Sequence, residues 1–87
     1  MSYRVEIKKS AQKEIAELPK RSRRRVMSAI GALADEPRPQ GVRKLAGAEN
    51  AYRIRVGDYR IVYEIARLPL TVFVVRVGHR KDIYRRL

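Results

Sequence analysis

Cysteine is absent from the 87 residues, which excludes disulfide scaffolds and thiolate zinc sites. A single His and nine scattered Asp plus Glu argue against a His-based metal site, so neither a metal nor another cofactor is expected. No apolar run approaches the roughly 20 residues that span a bilayer. The opening segment Met1-Ser2-Tyr3-Arg4-Val5-Glu6 has no signal-peptide apolar region. Repeats, low-complexity segments and a linker composition are also missing. The expectation is one domain over residues 1–87, cytoplasmic, with no membrane partner. Hydrophobic residues make up 45%, enough for a globular domain and too many for a disordered basic tail. A chain this short buries only about two thirds of its unfolded surface, so its core is small.

Acid is also scarce relative to base. There are 21 Lys plus Arg, and the net charge is +12. Residues 1–44 hold 12 bases and five acids, and residues 45–87 hold nine bases and four acids. The excess is therefore built into the whole domain and is not a detachable tail. Fifteen of the bases are Arg, whose planar fork binds phosphate bidentately. An anion is the expected partner, with nucleic acid the leading class.

The hydrophobic pattern predicts an α+β fold in the order βααβββ(β), a two-helix antiparallel hairpin packed on one mainly antiparallel twisted sheet. Tyr3 to Lys8 alternates as a half-buried strand. Ser10 is the expected cap of a short helix whose apolar positions are Ala11, Ile15 and Leu18. Pro19 opens a second helix over Lys20 to Asp35, with Val26, Ile30, Leu33 and Ala34 as its stripe. Pro37 and Pro39 prevent its continuation. Val42 to Leu45 reads as a short strand. Ala51 to Val56 and Tyr59 to Ile65 are strands joined by the two-residue loop Gly57-Asp58. Leu70 to Val77 is a β-branched run expected to be a central strand buried on both faces. Residues 80–87 form a short basic tail.

A two-residue loop fixes the hairpin register. Val56 faces Tyr59, Arg55 faces Arg60, Ile54 faces Ile61, Arg53 faces Val62 and Tyr52 faces Tyr63. Cross-strand partners share a side of the sheet. Tyr52, Ile54, Val56, Tyr59, Ile61 and Tyr63 thus take the core face, and Arg53, Arg55 and Arg60 take the other. Opposed guanidinium groups repel, which an external anion resolves; the alternative is that long Arg side chains fan into water. The strand from Leu70 is expected to pair with Tyr59 to Ile65 and to deliver His79 and Arg80 near that face. Tyr84 follows as a residue able to stack on a base. Such a set suits RNA cleavage, which needs 2′-hydroxyl deprotonation, stabilisation of charge on phosphorus and protonation of the departing 5′-oxygen. Arg performs the second task and, with a pKa above about 12, performs the first poorly. His79, the one imidazole in the sequence, is the candidate general acid or base; the alternative is a strand-end His without a role.

The run Tyr52-Arg53-Ile54-Arg55-Val56-Gly57-Asp58-Tyr59-Arg60-Ile61-Val62-Tyr63, followed by Val77-Gly78-His79-Arg80 and Tyr84, resembles the RelE family of toxin–antitoxin ribonucleases, within the RelE/ParE superfamily. The resemblance covers nearly the whole chain. It implies metal-independent cleavage of messenger RNA in the ribosomal A site and inhibition by an acidic, RelB-like antitoxin. Arg53 and Arg55 match two basic strand positions that hold or activate the scissile phosphate, where the best-known bacterial members have lysines. Arg60 matches an arginine that stabilises transition-state charge. Arg80 matches one that contacts the phosphate or leaving group, and Tyr84 a tyrosine that orients or stacks on the nucleotide. His79 falls where a lysine often occurs. Two other readings remain open: a ParE-like toxin that inhibits DNA gyrase without nuclease chemistry, and a non-catalytic RNA-binding module.

Lys20, Arg21, Arg23, Arg24 and Arg25 crowd the start of the second helix while Asp35 and Glu36 sit at its end, the reverse of what the helix dipole favours. With Lys81, these bases are candidate RNA or antitoxin contacts; the alternative is a solvated helix face. Tyr3, Tyr52 and Tyr63 are expected in the core with hydroxyls at its rim, and Met27 is expected to pack.

Overall fold

A computed structural model describes residues 2–79. Its elements are β1 (Arg4–Ile7), α1 (Lys9–Ala16), α2 (Lys20–Ala32), β2 (Arg43–Lys44), β3 (Ala51–Val56), β4 (Tyr59–Arg67) and β5 (Leu70–His79). The strands form one sheet in the order β1-β5-β4-β3-β2. β2 to β5 pair antiparallel with their neighbours, and β1 pairs parallel with β5. The α+β class and the mainly antiparallel sheet agree with the sequence pattern; the parallel place of β1 is new information.

The core lies between the helices and one sheet face. Ala11 and Ile15 come from α1, Val26 and Ile30 from α2 and Leu33 from its C-terminal cap position; they meet Tyr52, Ile54, Ile61, Tyr63, Ile65, Val72, Val74 and Val77. β3 and β4 contribute alternate residues, as the pleat requires; β5 does so up to Val74, after which a register shift adds a residue before Val77. The β3–β4 register matches the one derived from the two-residue loop at all five positions, and Ala51 opposite Glu64 extends it. Gly57 has φ +61, the conformation that selects Gly at the first position of a II′ hairpin loop.

Several expectations are corrected. Ser10 does not cap α1: the helix begins at Lys9, Lys8 stands at the cap without a side-chain bond, and Lys8 N–H extends the β1–β5 ladder to Val74 O at 2.8 Å. Strand passes straight into helix, leaving no separate capping residue. α1 ends at Ala16 before Leu18, whose N–H makes a tighter bond to Ile15 O. α2 stops at Ala32, three residues before Asp35; Ala34 and Asp35 make i→i−3 bonds that tighten the chain ahead of Pro37. β5 is not buried on both faces: Val72, Val74 and Val77 are buried, whereas Phe73, Val75 and Arg76 on or near the other side are partly exposed. Among the described residues the helices cover only one face, so a β-branched run can look central in sequence and still have one face without helices on it. Met27 does not pack in the core; it is 44% exposed. Tyr52 and Tyr63 are buried as expected and Tyr3 is half-buried.

A candidate anion site on the sheet face away from the helices

The side chains opposite the core are built row by row from the register. Arg43 pairs with Arg53, Arg53 with Val62 and Val62 with Arg76, making one row across β2, β3, β4 and β5. Arg55 pairs with Arg60 and Arg60 with Gly78, making the next. Cross-strand partners share a face, so these rows lie side by side. Arg43, Arg53, Arg55 and Arg60 line a hollow of about 250 Å³. Val62, buried and outside the helix-side core cluster, lies between them in the register.

Two like-charge pairs thus stand directly opposite each other, Arg43 with Arg53 and Arg55 with Arg60. Cross-strand partners have Cβ atoms about 5 Å apart, so the four guanidinium groups concentrate positive charge at one place on this face. Arg55 Nε also donates to Gly57 O at 3.1 Å, which ties its stem to the loop. Among the described residues, the acids on this face lie farther along the strands: Glu64 opposite Ala51 and Phe73, and Glu6 opposite Phe73. The face is therefore polarised, with its positive end beside the β3–β4 loop.

Arg43 escaped the sequence reading. Its strand has only two residues, too short for alternation to show, and the available signal was its place opposite Arg53 if β2 pairs with β3. Of the residues singled out from sequence, Arg53, Arg55 and Arg60 come together. His79 does not join them. A register shift between Val62 and Tyr63 places His79 opposite Tyr59, and the two rings meet edge to face at 5.9 Å on the helix side. Arg80, Lys81 and Tyr84 lie outside the described residues.

The bases of α2 are spread out. Arg23 Nη1 donates to Ala16 O at 3.3 Å, placing a cation at the C-terminus of α1, where the helix dipole favours it. Arg25 reaches the β3–β4 loop; a Cβ at Gly57 would come within 3.1 Å of its Nη1. Lys20, Arg21 and Arg24 are exposed. Beside α2 runs an apolar groove of about 270 Å³, lined in part by Ala29, Ala32, Leu33, Ile54 and Val56, with Arg55 at its border.

Comparison with known proteins shows the family and bears out the fold. Residues 5–84 match the family model described as ParE toxin of type II toxin–antitoxin system, parDE. The chain belongs to the RelE/ParE family of type II toxins. Toxin RelG of Mycobacterium tuberculosis is 40% identical over 90 residues, covering 99% of this chain and 100% of the relative. The archaeal RelE–RelB complex from Pyrococcus horikoshii contains a chain that superposes with a TM-score of 0.82 at 33% identity, covering 94% of this chain and 99% of that one. The isolated Escherichia coli RelE toxin superposes with a TM-score of 0.80 at 27% identity over 97% of this chain and 93% of that one.

Proposed function

We propose that this RelE/ParE-family toxin is a metal-independent endoribonuclease that cuts translated messenger RNA in the ribosomal A site and so inhibits translation in the cytoplasm. The observation that carries this reading is the hollow lined by Arg43, Arg53, Arg55 and Arg60. In the reaction the ribose 2′-oxygen bonds to phosphorus and the P–O5′ bond breaks. A base takes the 2′ proton and the 5′-oxygen receives one, leaving a 2′,3′-cyclic phosphate and a 5′-hydroxyl. Negative charge grows on the phosphoryl oxygens between these events, and fixed guanidinium groups match it better than they match the ground state.

Arg60, partly buried and opposed to Arg55, is assigned to that charge, with Arg53 and Arg55 holding the phosphate. The described residues lining the hollow are all Arg, so their role is charge stabilisation and not proton transfer. Arg80 and Tyr84 keep the leaving-group and nucleotide roles that the family resemblance implies. An acidic RelB-like antitoxin is the proposed inhibitor, since relatives were solved as RelE–RelB complexes. The basic start of α2 and the apolar groove along its second half suit an acidic amphipathic segment.

Primer extension on a translated message tests this. Codon-positioned cuts on ribosomes are expected, and Arg60→Ala should reduce cutting by at least about 100-fold, as for loss of one transition-state donor. Antitoxin binding by that variant should stay nearly intact. Wild-type cutting by Arg60→Ala refutes the assignment. The family model named for ParE favours one second reading: no cuts together with gyrase poisoning would establish it. Salt-sensitive RNA binding without cuts would leave a non-catalytic module.

A further inference from the structure

Glu14 of α1 lies outside the arginine hollow, yet its carboxylate holds two groups of β5 at once. Oε1 accepts the Val77 N–H at 2.9 Å, and Oε2 accepts from Arg76 Nη2 at 3.3 Å. Both partners sit just beyond the irregularity in the β4–β5 ladder, where Val62 faces Arg76 and Tyr63 faces Val74, leaving Val75 as an inserted residue. β1 follows the other edge of β5 only as far as Val74. Past that point α1 supplies a carboxylate where a strand would have supplied a carbonyl.

The inserted residue sets which side chains of the strand end face which way. With it, Val77 and His79 join the helix side, while Arg76 and Gly78 fall opposite Val62 and Arg60. Without it, a slip of one residue exchanges the two sets. The stretch Val72-Phe73-Val74-Val75 is apolar at every position, so alternation within it selects neither arrangement. Burial of Val77 favours the bulged arrangement, and a contact from outside the strand can pin it at the residue where the phase changes. We propose that Glu14 is a positioning residue that fixes the bulged register of β5 and thereby the strand end beside Arg60. Its effect on turnover rests on the nuclease reading; its effect on register does not.

The experiment pairs amide exchange and NMR on the full chain with cleavage kinetics. Glu14→Ala does not weaken α1, since Ala is the better helix former. It should speed Val77 amide exchange about tenfold, the equivalent of one net hydrogen bond. The His79 ring resonances should shift as the contact with Tyr59 changes. Turnover should fall about 10- to 100-fold with KM little moved, as for a small misplacement of a reacting group. Glu14→Gln keeps an acceptor and should restore all three. Arg76→Met removes only the ion pair and should leave Val77 protection and the His79 resonances as in wild type. Wild-type exchange and resonances in Glu14→Ala would overturn the proposal, as would a fall in turnover with the resonances unmoved. If Glu14→Ala does not fold, Glu14→Gln decides: loss of Val77 protection there overturns it. Should the resonances respond as stated while even the wild type cuts no RNA, the register assignment stands and the nuclease reading falls.

Discussion

Arg43 shows how one residue gains meaning only through its neighbours. It is exposed and sits in a two-residue strand, yet its register partner is Arg53 and it helps line the hollow. If a nucleic-acid phosphate occupies that space, Arg43 contributes one ionic contact. For single-stranded RNA, each such contact adds about 0.7 to the slope of log affinity against log salt. Arg43→Ala should reduce the slope by about that amount, measured by fluorescence polarisation of a short RNA across a salt series. Arg4→Ala makes the same charge change at the acid-bearing end of the face, where Arg4 lies 3.7 Å from Glu6, and should leave the slope unchanged. Equal losses in the two variants would mean that only net charge matters. The core of the site was legible because a two-residue loop leaves no freedom in the β3–β4 register. Arg53, Arg55 and Arg60 follow from that constraint alone. His79 was not legible, because its side of the sheet depends on an insertion that the neighbouring apolar run conceals.

At the scale of elements, the sequence shows a strand most clearly where one face is buried and the other is polar. β3 meets that condition, and its bounds agree with the pattern. β5 does not: an uninterrupted apolar run shows that a strand exists and hides its phase, its bulge and its single covered face. The join between α2 and β2 was visible only as a proline-broken segment. The structure shows how it is held. Tyr63, fully buried, donates its hydroxyl to Pro37 O at 2.7 Å, and its ring stacks 6.0 Å from that of Tyr52. Arg38 lies over the Tyr52 ring at 5.3 Å and donates from Nε to its hydroxyl. Tyr63→Phe removes the tie to Pro37 and should cost about 1 kcal/mol, lowering Tm by about 4–8 °C for a domain of this size. Burial also pushes the Tyr63 hydroxyl from 10.0 up to about 12. The folded state therefore holds this proton more tightly than the unfolded chain. The associated stability is fully present below pH 10.0 and is lost as pH rises through about 12. Denaturant melts across that window should show a steeper alkaline loss for wild type than for Tyr63→Phe. Parallel curves would mean that Tyr63 does not titrate differently on folding.

For the whole molecule, the governing quantity is a net charge of +12 carried by a chain with a small core. Self-repulsion opposes compaction, and any salt that screens it stabilises the fold. The arginine hollow adds a separate effect, because it collects positive charge that a bound oxyanion neutralises locally. Chloride at a given ionic strength supplies screening alone, whereas phosphate supplies screening and occupies the site. Thermal melts in the two salts at matched ionic strength should therefore differ, with phosphate giving the higher Tm. A ligand present at a hundred times its Kd stabilises by about 2.7 kcal/mol, which is ample to detect. Arg43→Ala gives the sharper test because its effects on stability in dilute chloride and on the gain from phosphate have opposite signs. Removing one of two opposed cations should relieve about 0.2–1 kcal/mol of cross-strand repulsion and raise Tm in dilute chloride. The same change takes a donor from the hollow and should shrink the additional gain from phosphate. A variant that loses stability in dilute chloride, or keeps the full phosphate gain, would show that the guanidinium groups do not act on a shared anion.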